Sequence, residues 1–147
     1  MHTLARTFIL LLLSIPAIAV AAPATPNKPL RGTDWQLTQL EGKPVAATNH
    51  GQIPHLLFSM EDQRVSGNGG CNRIMGSFEI TDDQLRLPGM ASTMMACASG
   101  MEQERRFMQA LEKIQHFRIS GSQLELLDAS NTVLMRFGSE APAKKEK

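Results

Sequence analysis

Two cysteines, Cys71 and Cys97, constrain the fold of this chain most strongly. They are the only cysteines among the 147 residues, so a single intramolecular pairing exists. Closing this loop would lower the conformational entropy of the unfolded chain and so stabilise the folded state by about 3–4 kcal/mol. We favour a disulfide, because the chain begins with an export signal and exported compartments are oxidising. Two reduced, buried cysteines are the alternative, and a redox pair is less favoured because Cys-x-x-Cys spacing is missing.

Residues 1–21 have the pattern of a cleaved secretory signal peptide. Arg6 precedes a leucine-rich apolar core, Pro16 interrupts it, and Ala19-Val20-Ala21 provides small residues at the two positions that a signal peptidase reads, with cuts after Ala19 or Ala22 as neighbouring alternatives. The apolar stretch is shorter than the roughly 20 residues that a transmembrane helix needs. We therefore expect cleavage after Ala21, an uncleaved interfacial anchor being the alternative.

The charge balance of the chain argues against two classes of partner. Cleavage would remove Arg6 from the 15 basic residues and leave 14 of them against 14 acidic residues. A net charge near zero does not favour nucleic acid or an anionic membrane surface as partner. Tyrosine is absent and there is one tryptophan, so no base-stacking platform is apparent. We expect a monomer without a stable membrane anchor.

Short alternating apolar segments predict about eight strands, five before a helix and three after it. The segments are 35–40, 56–58, 64–67, 74–80, 85–87, 117–119, 124–126 and 133–137. Gly76 would leave a gap on one face of its strand, where another group can approach. This pattern predicts an α+β domain with a curved antiparallel sheet, a half-barrel, and one amphipathic helix packed on it. An extended leader (22–30) would precede the domain (31–138), and a disordered tail (139–147) would follow it.

The predicted helix begins near Ser99. Ser99 and Glu102 have the spacing of a capping box, and Glu102 and Arg106 have the spacing of a favourable ion pair. The apolar face of the helix comprises Phe107, Met108, Leu111 and Ile114. This face must cover the sheet.

Three motifs follow one another along the chain. They are Gly70-Cys71-Asn72-Arg73 with Gly76 and Phe78, then residues 93–97, then Glu102 with Phe107 and Leu111. In this order they resemble the META domain family, of the HslJ-like type, and the resemblance extends from Trp35 to near Phe137.

The resemblance implies a small α+β domain of the cell envelope, connected with heat induction and with resistance to the antibiotic novobiocin. It supplies no catalytic residues. A basic residue often follows the threonine of the second motif in this family, whereas Met94 follows Thr93 here. Many members carry a lipid-attachment cysteine, which this chain lacks after its signal, so we expect a protein free in the periplasm.

Asn72 and Arg73 could present a polar recognition patch beside the cysteines. The alternative, which we favour, is that Asn72 bonds the turn backbone and Arg73 pairs with a carboxylate on the sheet surface. The glycines at 67, 69 and 70 do not match a phosphate-binding loop, since no lysine followed by serine or threonine comes after them. We interpret them as turn or bulge residues.

Metal binding has two sequence signals, and both are weak. The histidines His50, His55 and His116 lack ligand spacing. Four methionines gather near Cys97, namely Met90, Met94, Met95 and Met101. Thioethers are soft ligands for Cu(I), but methionines also fill irregular gaps in cores, which is the interpretation we favour.

Catalytic signals are missing from the chain. No nucleophile-elbow serine occurs, and Asp82 and Asp83 fall in a predicted turn, where carboxylates are solvated. We expect a non-catalytic envelope protein without a cofactor that binds an envelope protein or an apolar ligand. The alternatives are a carrier of small apolar molecules or lipids inside the half-barrel, and a periplasmic Cu(I)-binding protein. The candidate contact surface comprises Asn72, Arg73, Thr93, Met94 and Met95.

Overall fold

The computed structural model describes residues 26–46 and 52–139, which contain eleven strands and one helix. The predicted signal peptide, residues 22–25 of the predicted leader and residues 140–147 of the predicted tail lie outside the described residues. The elements are β1 (Asp34–Leu40), β2 (Lys43–Pro44), β3 (His55–Phe58), β4 (Arg64–Asn68), β5 (Arg73–Ser77), β6 (Glu79–Thr81), β7 (Gln84–Arg86), β8 (Ala91–Ser92), α1 (Met101–Leu111), β9 (His116–Ser120), β10 (Gln123–Leu127) and β11 (Val133–Gly138).

The strands form a single antiparallel sheet whose two ends lie close together. Its order is β6-β7-β9-β10-β11-β1-β3-β4-β5-β8, and β2 pairs with β1 beside this path. Strands β5 and β6 lie near opposite ends of the order, yet only Phe78 separates them along the chain. The sheet must therefore curl. The predicted α+β fold, with a half-barrel sheet and one helix, is confirmed, although the strands are more numerous and shorter than predicted.

Large side chains fill the inside of the curled sheet. Phe58 packs edge-on against Phe78 at 5.2 Å between ring centroids, and Phe107 of α1 lies 6.4 Å from Phe137 of β11. The indole of Trp35 is fully buried and donates its N–H to the Leu30 carbonyl oxygen at 2.9 Å. Since α1 contributes Phe107 to this core, the helix is held by hydrophobic burial against the sheet.

Strand β1 departs from simple alternation. The pattern predicts Trp35, Leu37 and Gln39 on one face, but Leu40 is buried in place of Gln39. The register with β11 shifts between Leu37 and Gln39, and the hydroxyl of Thr38 donates to the Arg136 carbonyl oxygen at 3.0 Å. This bulge turns the following residues to the opposite face.

The predicted strand 74–80 is two strands with a bend at Phe78. The Phe78 N–H donates to the Gln63 carbonyl oxygen at 2.9 Å, and the Ser77 N–H donates to the Pro88 carbonyl oxygen at 3.1 Å. These bonds end the β4–β5 ladder and direct the chain towards the other end of the sheet. The gap expected at Gly76 is confirmed, since a Cβ there would lie 2.4 Å from the Met90 sulfur.

Helix α1 begins without the predicted capping box. Its N-cap is Gly100, in the left-handed region at φ 88°, and no side chain caps the helix there. Glu102 pairs with Arg105 instead of Arg106, and Arg106 pairs with Glu41 at the turn after β1. Glycine adopts this backbone conformation at little cost, so the chain can enter the helix sharply without a serine cap.

The sequence predicts a two-residue hairpin turn at Gly121-Ser122 and a second turn at residues 128–131, and the structure has turns at both positions, after β9 and after β10. Gly121 has φ 59°, as expected for the first turn. In the second, the Asp128 carboxylate accepts the Ser130 hydroxyl at 2.7 Å and the Thr132 N–H at 2.9 Å. The Ser130 hydroxyl bond is the main cause of a lowered pKa for Asp128.

Gly67 provides a test of how closely β3 and β4 approach. A Cβ at Gly67 would lie 2.0 Å from the His55 carbonyl oxygen, a backbone atom that cannot move aside. We expect Gly67→Ala to lower the free energy of unfolding by about 2 kcal/mol or more. Gly138→Ala is the matched control, because its Cβ would meet only Thr38 at 3.7 Å. Urea unfolding measures both, and equal stability of the two variants would contradict the close approach.

Candidate functional site

A buried carboxylate lies between α1 and the loop before β5. Glu104 is only 5% exposed, and its described partners are neutral N–H groups. Its Oε2 accepts the backbone N–H of Cys71 at 2.8 Å and that of Asn72 at 2.7 Å, while Oε1 accepts the Asn72 side-chain amide at 2.6 Å. Gly69 makes room, since a Cβ there would lie 2.6 Å from Glu104 Cγ. Glu104 therefore ties the helix to residues 69–72, which we call the glycine loop.

The side chain of Asn72 continues this network to a second loop. Asn72 is 2% exposed, and its Oδ1 accepts the Thr93 hydroxyl at 2.9 Å and the Met95 N–H at 2.6 Å. Its amide nitrogen also donates to the Met95 carbonyl oxygen at 3.3 Å. We call Asn72, Thr93 and Glu104 the polar cluster. Asn72 thus bonds backbone, as the favoured interpretation of the sequence holds, and its amide is not available at the surface.

A disulfide joins the same two segments. Cys71 and Cys97 are bonded, with 6.1 Å between their Cα atoms. Residues 93–97, which we call the methionine loop, are therefore fixed at Thr93, at Met95 and at Cys97. The Thr93 N–H also donates to the Arg73 carbonyl oxygen at 3.0 Å, which extends the short β5–β8 pairing.

The side chains of the methionine loop face solvent although its backbone is held. Met94 is 98% exposed and Met95 is 58% exposed. Met95 is hydrogen-bonded to Asn72 through its backbone N–H and its carbonyl oxygen, so neither thioether is needed to hold the loop. The site consequently presents apolar side chains on a backbone that is anchored at several points.

Arg73 lies beside the methionine loop on the outer face of the sheet. Within the described residues its guanidinium has no ion pair, so the carboxylate partner expected from the sequence is not found there. Arg73 lines a surface cleft together with Asp34, His55, Leu57 and Met75. Of the predicted contact residues, Arg73, Thr93, Met94 and Met95 are at the surface, whereas Asn72 is buried.

The family of the chain is shown by a match over most of its length. The family model of the META domain matches residues 28–141. The chain belongs to the META domain family. No curated protein shows a significant match to it.

Two solved structures resemble this META domain protein. An NMR structure of a protein from Burkholderia xenovorans is 25% identical in sequence, with a TM-score of 0.62, and the match covers 88% of this chain and 100% of that one. A second NMR structure is also 25% identical, with a TM-score of 0.59, and the match covers 75% of this chain and 91% of that one.

The methionines of the predicted copper site occupy different surroundings. Met90 packs over Gly76 of β5, Met101 is the first residue of α1, and Met94 and Met95 project from the methionine loop. Residues 26–46 and 52–139 contain no group of three or more His, Cys, Asp or Glu side chains placed to hold a metal ion. His50 lies outside the described residues. Cu(I) binding through thioethers stays a prediction.

The space that the carrier alternative requires is occupied in the described part of the chain. Trp35, Phe58, Phe78, Phe107 and Phe137 fill the inside of the half-barrel, each at most 1% exposed. The carrier hypothesis stays a prediction, but a ligand would have to displace this core.

Helix α1, the one helix of the described residues, is not long and apolar enough to cross a membrane.

Glu104 is the residue of the site that the sequence interpretation missed. It lies three residues before Phe107 and seven before Leu111, so it falls on the apolar face of α1. A carboxylate at such a position is either a surface residue at the edge of the face or a buried acceptor. Its three donors come from residues 71 and 72, more than thirty positions away, and helical spacing cannot indicate them.

Glu104→Gln tests the polar cluster. The substitution leaves a single side-chain oxygen, so either the backbone N–H groups of residues 71 and 72 or the side-chain amide of Asn72 must face an NH2 group instead of an acceptor. We expect the free energy of unfolding to fall by about 3 kcal/mol. Glu102→Gln is the control, because Glu102 forms only an exposed ion pair with Arg105 and its loss should cost about 0.5 kcal/mol or less. Equal effects of the two substitutions in guanidinium unfolding would contradict the role of Glu104.

Removal of the disulfide tests its contribution to stability. The bond closes a loop over a sequence separation of 26. We expect Cys71→Ala/Cys97→Ala to lose about 3–4 kcal/mol of unfolding free energy. Adding a reductant should destabilise the wild type by a similar amount and should not affect the double variant. A wild-type protein whose mass does not rise by two hydrogens when it is reduced in the unfolded state would show that its cysteines are not paired.

Proposed function

We propose that this META domain protein is a non-catalytic, exported envelope protein that binds a partner protein through its methionine loop. The observation that carries the proposal is the combination of an anchored backbone with the exposed side chains of Met94 and Met95. An anchored loop loses little conformational entropy on binding, which favours affinity. Methionine side chains adapt to an apolar partner surface and are frequent in interface cores.

The exposure of the loop favours a protein partner over a small apolar ligand. A binding site for a small molecule encloses most of the surface of its ligand. Met94 is 98% exposed and projects outwards, so it fits into a partner more readily than it encloses a ligand. Arg73 adds a charge beside the loop that is unpaired within the described residues and can contribute to the rim of such an interface.

The absence of catalysis is part of the proposal and rests on the state of the polar groups. Asn72 and Glu104 are buried, and they use their side-chain oxygens on each other and on backbone donors. Groups that are committed in this way are not free to activate a substrate. Both cysteines are joined, so neither is available as a nucleophile.

Export to the periplasm and a role in stress complete the proposal. A disulfide between the only two cysteines suits an oxidising compartment, and the first residues have the pattern of a signal peptide. The resemblance to the HslJ-like type suggests heat or novobiocin stress as the condition in which binding matters.

A substitution pair tests the function in cells. In a strain that lacks its own copy, we expect Met94→Glu/Met95→Glu to abolish the tolerance to heat or novobiocin that the wild type restores, because charges would prevent burial of the loop in a partner. Met60→Glu is the matched control, since Met60 is 70% exposed but lies in the turn between β3 and β4.

Photo-crosslinking provides the direct measurement of the contact. A photoreactive residue at position 94 should yield a defined adduct with one envelope protein, and the same residue at position 60 should not. Both variants must reach wild-type amounts with the disulfide intact. Full stress tolerance of the double glutamate variant, together with no adduct at position 94, would contradict the proposed binding surface.

A further inference from the structure

We infer that Met94 and Met95 form a reversible oxidation site that abolishes binding by the methionine loop while the fold is retained. The regulatory part of this inference rests on the proposed function. The modification is conversion of the thioethers to sulfoxides by a peroxide.

The methionine thioethers are the sulfur groups of this chain that are open to a peroxide. The only two cysteines are joined in the disulfide, so no thiol competes for an oxidant. Met94 is 98% exposed, more than any other large hydrophobic side chain in the described residues, whereas Met135 of β11 is 1% exposed. Because a peroxide must reach the sulfur atom, we expect oxidation to begin at Met94 and to continue at Met60, which is 70% exposed, and at Met75 and Met95, which are each 58% exposed.

Oxidation of the methionine loop leaves the contacts that hold the fold in place. The loop is held by the Thr93 hydroxyl, by backbone atoms of Met95 and by the disulfide at Cys97, none of which involves a thioether. Oxygen on Met94 or Met95 would enter solvent. Oxygen on Met135 would enter the core, and oxygen on Met90 would enter the tight contact with Gly76, where an unsatisfied polar group is costly.

The chemistry balances with one peroxide for each methionine. The sulfur lone pair attacks one peroxide oxygen, the S–O bond forms as the O–O bond breaks, and the second oxygen leaves as water after proton transfer. The sulfur loses two electrons and the peroxide gains them. A thiol-dependent methionine sulfoxide reductase reverses the step, since two thiols become a disulfide while the sulfoxide oxygen leaves as water. The sulfoxide is polar, so burying it in an apolar partner surface is unfavourable.

The first experiment follows oxidation of the purified, disulfide-bonded protein by hydrogen peroxide. Peptide mass spectrometry gives the rate at each methionine, and the fluorescence of the buried Trp35 reports the fold. We expect Met94 to oxidise at least about tenfold faster than Met135, and the fluorescence to stay unchanged when Met94 and Met95 are both oxidised. Comparable rates at Met94 and Met135, or unfolding once only the loop is oxidised, would overturn the inference.

The second experiment uses Met94→Leu/Met95→Leu, which keeps the loop apolar but removes both thioethers. Photo-crosslinking from position 91 of β8, beside the loop, is measured before and after peroxide. We expect peroxide to lower the yield of the wild-type adduct at least about tenfold and sulfoxide reductase to restore it. The leucine variant should keep its own starting yield of adduct when peroxide is added. Met60→Leu should behave as the wild type.

The two proposals fail in different ways. If the disulfide-bonded wild type with unoxidised methionines forms no adduct from position 91 or from position 94, the binding function is wrong, and the regulatory inference falls with it. If the reduced wild type forms an adduct that peroxide leaves unchanged, binding stands and the oxidation switch alone is wrong.

Discussion

The carboxylate of Glu104 is the contact on which the arrangement of the site depends. Removing a carboxylate from water costs several kcal/mol unless hydrogen bonds replace the lost hydration. Three N–H groups of Cys71 and Asn72 provide that replacement. The same three bonds give these N–H donors an acceptor that the sheet does not provide. The carboxylate and its donors each need the other to complete their hydrogen bonds, so the helix, the glycine loop and the methionine loop hold each other in place.

The curl of the sheet determines where these segments meet. After Ser77 the chain bends at Phe78 and crosses from one end of the sheet to the other. On the edge that does not face β4, strand β5 therefore pairs only with the two-residue strand β8. The methionine loop continues from β8. A strand this short contributes few ladder bonds, which is why the loop depends on Asn72 and on the disulfide for its position.

Sequence patterns predicted those parts of this structure that depend on local periodicity. The apolar face of α1, the hairpin at Gly121 and the gap at Gly76 follow from spacing and residue type. The bulge at Thr38 depends on the partner strand β11, and the bend at Phe78 depends on bonds to Gln63 and Pro88. Likewise, the acceptor role of Glu104 depends on donors far away in sequence. Such features arise from tertiary contacts, so a single sequence does not reveal them.

The methionine loop combines a held backbone with side chains that are free to change. No hydrogen bond among the described residues involves the side chain of Met94, which is 98% exposed. Substitution there would change the chemistry of the surface and leave the polar cluster and the disulfide intact. Under the proposed function, partner choice therefore depends on position 94 and its neighbours, whereas Glu104 and Asn72 beneath them hold the loop in place.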